Sequence, residues 1–405
     1  MKAKLGDVCA SIYDGDHNAP PKSESGIPFI TISNIDTSDG FIDFSDTAFV
    51  SEEYYESLKA ERKPRRDDVL YSVVGSFGIP SLVKNDERFV FQRHIAILRP
   101  SERIDSTYLY YVLKDPSFYR WADAVAIGSA QRTVTLGQLR NKEINLPNLE
   151  TQRRIAGMLS AYDELIENNR KQIKLLEEAA QRLYREWFID LKFPGHETTP
   201  IHDGLPDGWQ KGNLLDCADF CRGKSYTSDN LDDSGSMRLA NLNSIAPYGG
   251  WAFGAEKPYK GECKAEQLVS SGDVIMAVTD MTKERRLVGH VARVPKQADG
   301  FLISMDLIKL VPKSATVNYL YAALRFSGVA EMIAMLANGT NVLHLKPDAL
   351  SRVDFVTPDR ETQERFSVVS ELLFAMCEHL EQKAALAREA RDRLLPKLMT
   401  GEVKE

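Results

Sequence analysis

The chain has no apolar run long enough to cross a bilayer, and its opening residues, MKAKLGDVCASIYDGDHN, lack the apolar core of a secretory signal. A cytoplasmic location is therefore expected. Cysteine is scarce. There are five in 405 residues (Cys9, Cys217, Cys221, Cys263, Cys377), an odd number without a CxxC pair, which argues against a disulfide framework or a zinc knuckle. The seven histidines form no HExxH pair, and neither a GxSxG elbow nor a glycine-rich cofactor loop after a strand occurs. No metal ligand set and no catalytic residue can be assigned. An excess of positive charge is lacking too. The formal net charge is −7, so phosphate contact has to rest on local clusters such as ERKPRRDD and KERR. The rest of the composition, 43% hydrophobic and 27% charged over 405 residues, is that of a globular chain of two or three domains.

One stretch mimics a nucleotide site. ADFCRGKS, Ala218 to Ser225, is one residue away from the pattern GxxxxGK[ST], with Ala218 in place of the first glycine. A phosphate-cradling loop needs a helix opening at the Lys-Ser, but YTSDNLDDSGS follows, acidic and rich in turn formers. An NTPase using Lys224 is kept as an alternative function, as is a purely structural coiled-coil scaffold.

The strongest feature is an internal repeat. LPNLETQRRIAGMLSAYDELIENN from Leu146 matches TPDRETQERFSVVSELLFAMCEHL from Thr357, and Gln152 and Gln363 lie 363 − 152 = 211 residues apart. At the same offset TYLYYVL answers NYLYAAL and Gly128 answers Gly339. CASIYDGD from Cys9 aligns with CADFCRGK from Cys217, so the P-loop look-alike is a strand entering a glycine turn, and Lys224 and Ser225 have no counterpart. The chain reads as two copies of one unit, each a globular region followed by a long helix. Strand-like runs such as IPFITISNI and FQRHIAILRP, with a helix around STYLYYVLKDPSFYRWADAV, make each globular region α+β.

The helices carry steps of four and three. The first places Ile155, Leu159, Tyr162, Ile166, Asn169, Ile173, Leu176 and Leu183 on one seam, and the second Phe366, Leu373, Met376, Leu380, Ala387 and Leu394. Asn169 and Lys383 are polar seam positions of the kind that set register. Each stripe needs a partner, and the other helix is the nearest. A first helix of roughly 60 Å, followed by a linker of only about seventeen residues, favours antiparallel pairing. Such a pair gives a pseudo-twofold object with two readers set more than one DNA turn apart.

This arrangement, with LPDGW leading into the second globular region and RLLPKLMTGEV closing the second helix, resembles the specificity subunit of type I restriction-modification systems. The resemblance covers the whole chain and is strongest in the helices. It implies an α+β chain with target recognition domain 1 over residues 1–148, a spacer helix over 149–190 and a linker over 191–205. Target recognition domain 2 follows over 206–358, then a second spacer helix over 359–400 and a tail over 401–405. It also implies that each domain reads one half of a bipartite double-stranded DNA target, and that the helices dock two methyltransferase subunits. Restriction and translocase subunits would join through the complex. Catalysis, with S-adenosylmethionine and with ATP and Mg for restriction, would then belong to partner subunits. The amino-methyltransferase tetrad NPP[FY] is absent, since NAPP at Asn18 interposes Ala19 and lacks the aromatic.

Guanine edges are read by Arg and Lys, adenine edges by Asn and Gln. The candidates in loops are Lys63, Arg65, Arg66, Arg93, Ser129, Gln131 and Arg132 in the first domain. In the second they are Arg222, Lys224, Lys283, Arg285, Arg286 and Asn341.

Overall fold

The computed structural model describes residues 1–16, 20–129 and 131–402. The chain forms two compact units, one of Met1–Ile166 with the C-terminal stretch from Leu386, the other of Glu167–Ala385.

In the first unit a four-stranded antiparallel sheet has the order Cys9–Asp14, Ile95–Pro100, Val69–Ser72, Pro80–Leu82. A three-stranded sheet places Ile27–Ile30 between Ala48–Val50 (antiparallel) and Val90–Phe91 (parallel). Lys2–Lys4 pairs with Glu143–Asn145. The second unit has the same plan. Its four-stranded order is Ala218–Arg222, Leu307–Pro312, Val274–Ala277, Val291–Arg293, beside Lys257–Tyr259, Met237–Ala240 and Leu302–Ile303, with Gln210–Asn213 on Asp354–Thr357. The repeat in the sequence is thus a repeat of topology.

Each unit buries one short helix under its sheet. Ser106–Lys114 starts at Asp105, whose carboxylate accepts from the Tyr108 N–H, and Val317–Phe326 starts at Thr316, whose hydroxyl accepts from the Tyr319 N–H. Their tyrosines Tyr110, Tyr111 and Tyr321 are buried. The repeated Glu-Thr-Gln now has a physical reason. Gln152 accepts from the Asp105 N–H (2.8 Å) and donates to Pro147 O, while Gln363 accepts from the Thr316 N–H (2.6 Å) and donates to Pro358 O. Both amides are buried. Each ties the start of a long helix to the cap of the short one, satisfying donors that helix starts leave open.

The long helices are Leu149–Tyr184, which continues into a π-helical turn Arg185–Ile189, and Arg360–Thr400, which carries Pro396 in its last turns. Within the first unit the start of the first helix packs on the end of the second, with Ile155, Ala156 and Leu159 in one core with Leu395 and Leu398. Within the second unit the end of the first helix packs on the start of the second, where Phe188 and Phe366 meet at 5.0 Å between ring centroids. In each unit the pair therefore runs antiparallel.

Ile155, Leu159, Ile166 and Asn169 are buried, and Tyr162, Ile173, Leu176 and Leu183 are half-buried. On the second helix Phe366, Leu380 and Ala387 are buried and Leu373 and Leu394 half-buried. Met376, expected in the seam, is 52% exposed, and Lys383 is exposed. The buried line runs instead through Ser370, Phe374, Leu380, Ala384, Ala387 and Arg391. A helix that packs on both a partner helix and a lobe can bury small and charged groups, and apolar spacing alone does not register these.

Two further departures follow from packing. The stretch 191–205, read as a linker, folds back: Phe193 is buried against Trp209 (5.3 Å between centroids), and Ile201–His202 pairs with Leu205–Pro206. The domain division also differs from the sequence-based one, because residues from Leu386 onward complete the first unit. Their anchor is Arg391, fully buried, whose guanidinium donates to Asp39 (2.9 Å) and Asp163 (2.5 Å). Asp163 also accepts from the Tyr111 hydroxyl, and Asp39 from Arg388.

The second unit holds its own cluster of half-buried charges. A cavity of about 30 Å³ is lined by Glu177, Trp251, Arg293, Cys377, Glu378 and Glu381 among others. Burial, with Glu177 and Glu378 adding repulsion, pushes the Glu381 carboxyl up to about 8.

Candidate nucleic-acid interface

In the first unit four loops converge on one end of the four-stranded sheet, the end where Ser72 pairs with Ile95. Main-chain hydrogen bonds hold them together. Gly15 N–H donates to Ile95 O, Val73 N–H to His94 O, Gly75 N–H to Arg132 O and Val134 N–H to Val73 O, all at 2.8–3.3 Å. Ile127 and Thr133 exchange both of theirs around Gly128, whose φ of 98° suits glycine.

The second unit repeats these bonds. Gly223 N–H donates to Leu307 O, Val278 N–H to Asp306 O and Leu345 N–H to Val278 O, while Asn338 and His344 exchange both around Gly339. At the glycine turn the chains touch. A Cβ on Gly223 would overlap the Ser304 carbonyl oxygen, and one on Gly15 the Phe91 carbonyl. Tight strand packing therefore explains Gly223. Lys224 N–H donates to Ile303 O, its carbonyl accepts from Met305 N–H, and only a 3₁₀ turn, Ser228–Asn230, follows. The Lys-Ser does not open a helix, so the amide cradle of a P-loop is not formed.

Of the first-unit candidates, Arg93, Ser129, Gln131 and Arg132 share this rim and are exposed. Arg132 is braced by the Asp123 carboxylate (2.5 Å) and stands 5.5 Å over the Phe77 ring. Lys63, Arg65 and Arg66 precede Val69–Ser72 and enter the other end of that strand, roughly 13 Å of β-strand away. Lys63 is paired with Glu56 (2.8 Å) over the Tyr55 ring, and the Arg65 N–H caps onto Asp68. They do not join the rim.

In the second unit Lys224 follows the glycine turn, Lys283 and Arg286 lie on the loop between Asp280 and His290, and Asn341 lies between the exchanging residues Asn338 and His344. Arg222 closes the strand leading into the glycine turn, 3.7 Å from Asp348, with its guanidinium 5.7 Å over the Phe220 ring. Arg286 lies 3.7 Å from Glu284. Arg285 turns inward at φ 56° and donates to Ala334 O.

The basic residues of this unit sit on a longer loop. Met276 pairs with Val291, 291 − 276 = 15 residues on, where Tyr71 pairs with Pro80, 80 − 71 = 9 residues on. What shapes the longer loop is Asp280, which has no accessible surface and was not a sequence candidate. Its carboxylate accepts from the Thr282 N–H and hydroxyl and from the N–H groups of Leu287 and Val288, at 2.6–3.0 Å. Burial works against the charge, yet these donors win and hold the carboxyl below its ordinary range. The Asp-x-Thr spacing of an Asx turn was the signal that could have found it.

Among the described residues no group of His, Cys, Asp or Glu is placed to hold a metal ion, and no helix is long and apolar enough to cross a membrane. Asn18 and Ala19 of the NAPP stretch lie outside the described residues.

Two copies of one loop rim, each on a lobe completed by both long helices, define a tandem recognition protein. Residues 1–178 match the family described as the Type I restriction modification DNA specificity domain. The chain is similar to type I restriction-modification specificity subunits. It is 25% identical over 325 residues to the type I restriction enzyme MjaIX specificity subunit of Methanocaldococcus jannaschii, spanning 75% of this chain and 71% of that protein. To the HindI specificity subunit of Haemophilus influenzae it is 21% identical over 415 residues, 85% and 88% of the two chains. The crystal structure of the type I S subunit from M. genitalium has the same fold, with a TM-score of 0.58 at 16% identity over 98% of this chain and 95% of that one.

Proposed function

We propose that the chain recognises a bipartite duplex DNA target, each unit laying its loop rim against one half, and that it performs no chemistry of its own. The observation that carries this reading is the repetition, bond for bond, of one rim in two units, as two copies of one reading surface would require. The exposed side chains Arg93, Gln131, Arg132, Lys283, Arg286 and Asn341, with the half-buried Lys224, are of the types that contact base edges and phosphates.

The long helices serve as the platform on which two methyltransferase subunits dock, with restriction and translocase subunits joining through the complex. S-adenosylmethionine, and ATP with Mg for restriction, are bound by those partners. An adenine would be turned out of the duplex and methylated by the partner, not by this chain. The test is co-purification with the modification subunit of its host, followed by mapping of methylated positions in duplex DNA. Methylation confined to a split sequence is expected; a complex that forms but methylates without sequence preference would refute the reading.

A further inference from the structure

We infer that the two rims use opposite chemistry, the first reading with polar groups and the second with apolar contacts to thymine methyls. The inference rests on the duplex-reading role proposed above.

The hydrogen bonds that repeat between the units align their rims residue by residue. Val73 and Val278 donate to His94 and Asp306, and Ile95 and Leu307 donate back to Gln92 and Ser304, so Arg93 of the first rim corresponds to Met305 of the second. The exchanging pairs Ile127/Thr133 and Asn338/His344 make Gln131 and Arg132 correspond to Val342 and Leu343. Val74 and Thr279, which bridge to Thr133 and His344, make Ser76 correspond to Met281. At four rim positions, then, Arg, Gln, Arg and Ser give way to Met, Val, Leu and Met.

The two methionines do not pack into the lobe: Met281 is 73% and Met305 55% exposed. They are held on the same rim. Met305 N–H donates to Lys224 O, and its neighbour Asp306 accepts from the Thr279 hydroxyl, two residues before Met281. Cations flank them on separate elements, Lys224 on the glycine turn and Lys283 on the longer loop, and neither makes an ion pair among the described residues. Exposed apolar groups framed by unpaired cations fit a surface with an anionic frame and apolar points inside it. A duplex major groove offers both, phosphates at the edge and thymine C5-methyl groups within. On the first rim, Arg93 and Arg132 match guanine and Gln131 adenine.

The test selects from a pool of randomised duplexes with the full chain, alone and with the modification subunit of its host. The selected duplex is then bound again with each thymine replaced by uracil, which removes only the methyl. Two selected blocks are expected, one of them holding a thymine whose replacement weakens binding about fourfold. Met305→Arg should redirect that block toward guanine and leave the other alone, Arg93→Met should alter only the other, and Met305→Leu should change neither. Blocks that form but tolerate uracil everywhere, or a Met305→Arg protein that selects the parent motif, would overturn the inference and leave duplex reading intact. Loss of partner binding with an unchanged motif would overturn it as well, marking the methionines as a protein contact. If the folded parent chain selects no sequence in either form, the duplex-reading role itself fails, and this inference with it.

Discussion

Replacing Arg391 by alanine should open the first unit while leaving the second closed. The guanidinium has no exposed surface and serves two buried carboxylates, Asp39 and Asp163. Truncating it removes the shared cation, and Arg388 remains near Asp39 only. Breaking a buried ion pair from one side costs about 3–5 kcal/mol, because the partner charge stays buried without compensation. The same group pins the second helix from Leu386 onward to the first unit, so the loss should appear as local opening. Amide hydrogen exchange, followed peptide by peptide on the full chain, reads this directly. Peptides from Ser106–Lys114 and from the last turns of Arg360–Thr400 should lose at least about a hundredfold in protection, since 1.4 kcal/mol is a factor of ten. Peptides from Val317–Phe326 in the second unit should change little. Adding Asp163→Asn to Arg391→Met should recover part of the loss, because one uncompensated charge is then gone. A fall in protection under about fivefold in the first-unit peptides would show that the buried network does not hold the unit shut.

Two further outcomes follow from carboxyls of the second unit. The Glu381 carboxyl is raised to about 8 by burial beside Glu177 and Glu378, so the folded state holds a proton that the unfolded chain releases above its ordinary carboxyl pKa. Its contribution is complete below that value and is lost as pH rises through about 8, with a slope of up to about 1.4 kcal/mol per pH unit. Glu381→Gln should flatten the fall of second-unit exchange protection between about pH 5 and pH 8; an unchanged slope would exclude Glu381 as its source. Asp280→Ala removes the acceptor of three main-chain N–H groups, at about 1–3 kcal/mol for each donor left buried and unsatisfied. Exchange should rise at Leu287 and Val288, and the sequence preference of one half-site should be lost while the other stays, as read by duplex selection. Retention of both half-sites would show that the longer loop does not read DNA.

Much of the architecture was legible because it is local or repeated. Glu-Thr-Gln occurs twice before a long helical pattern, and in both places the glutamine binds a helix start to a short-helix cap. The Cys-Ala and glycine frame shared by residues 9–15 and 217–223 identified a strand entering a turn, and close approach of Ser304 and Phe91 carbonyls is what demands glycine there. Ile155, Leu159 and Ile166 fell on a buried seam because a helix face repeats at short spacing. On the second helix the same reasoning picked Met376, since an exposed apolar stripe and a buried one look alike in spacing.

Sequence alone therefore determined that there are two similar α+β units, that each ends in a long helix, and that Gly223 and Lys224 form a turn. These follow from propensity, periodicity and internal repetition, all carried by neighbouring residues. Only tertiary structure decided that residues from Leu386 complete the first unit, since Arg391 meets Asp39 across more than three hundred residues of chain. It also decided which basic loop residues share a rim: Arg93 and Arg132 do, Lys63, Arg65 and Arg66 do not, because strand direction sends them to opposite ends of the sheet. Contacts between distant segments depend on how elements pack in space, and a single sequence carries no local mark of which distant partner each side chain will meet.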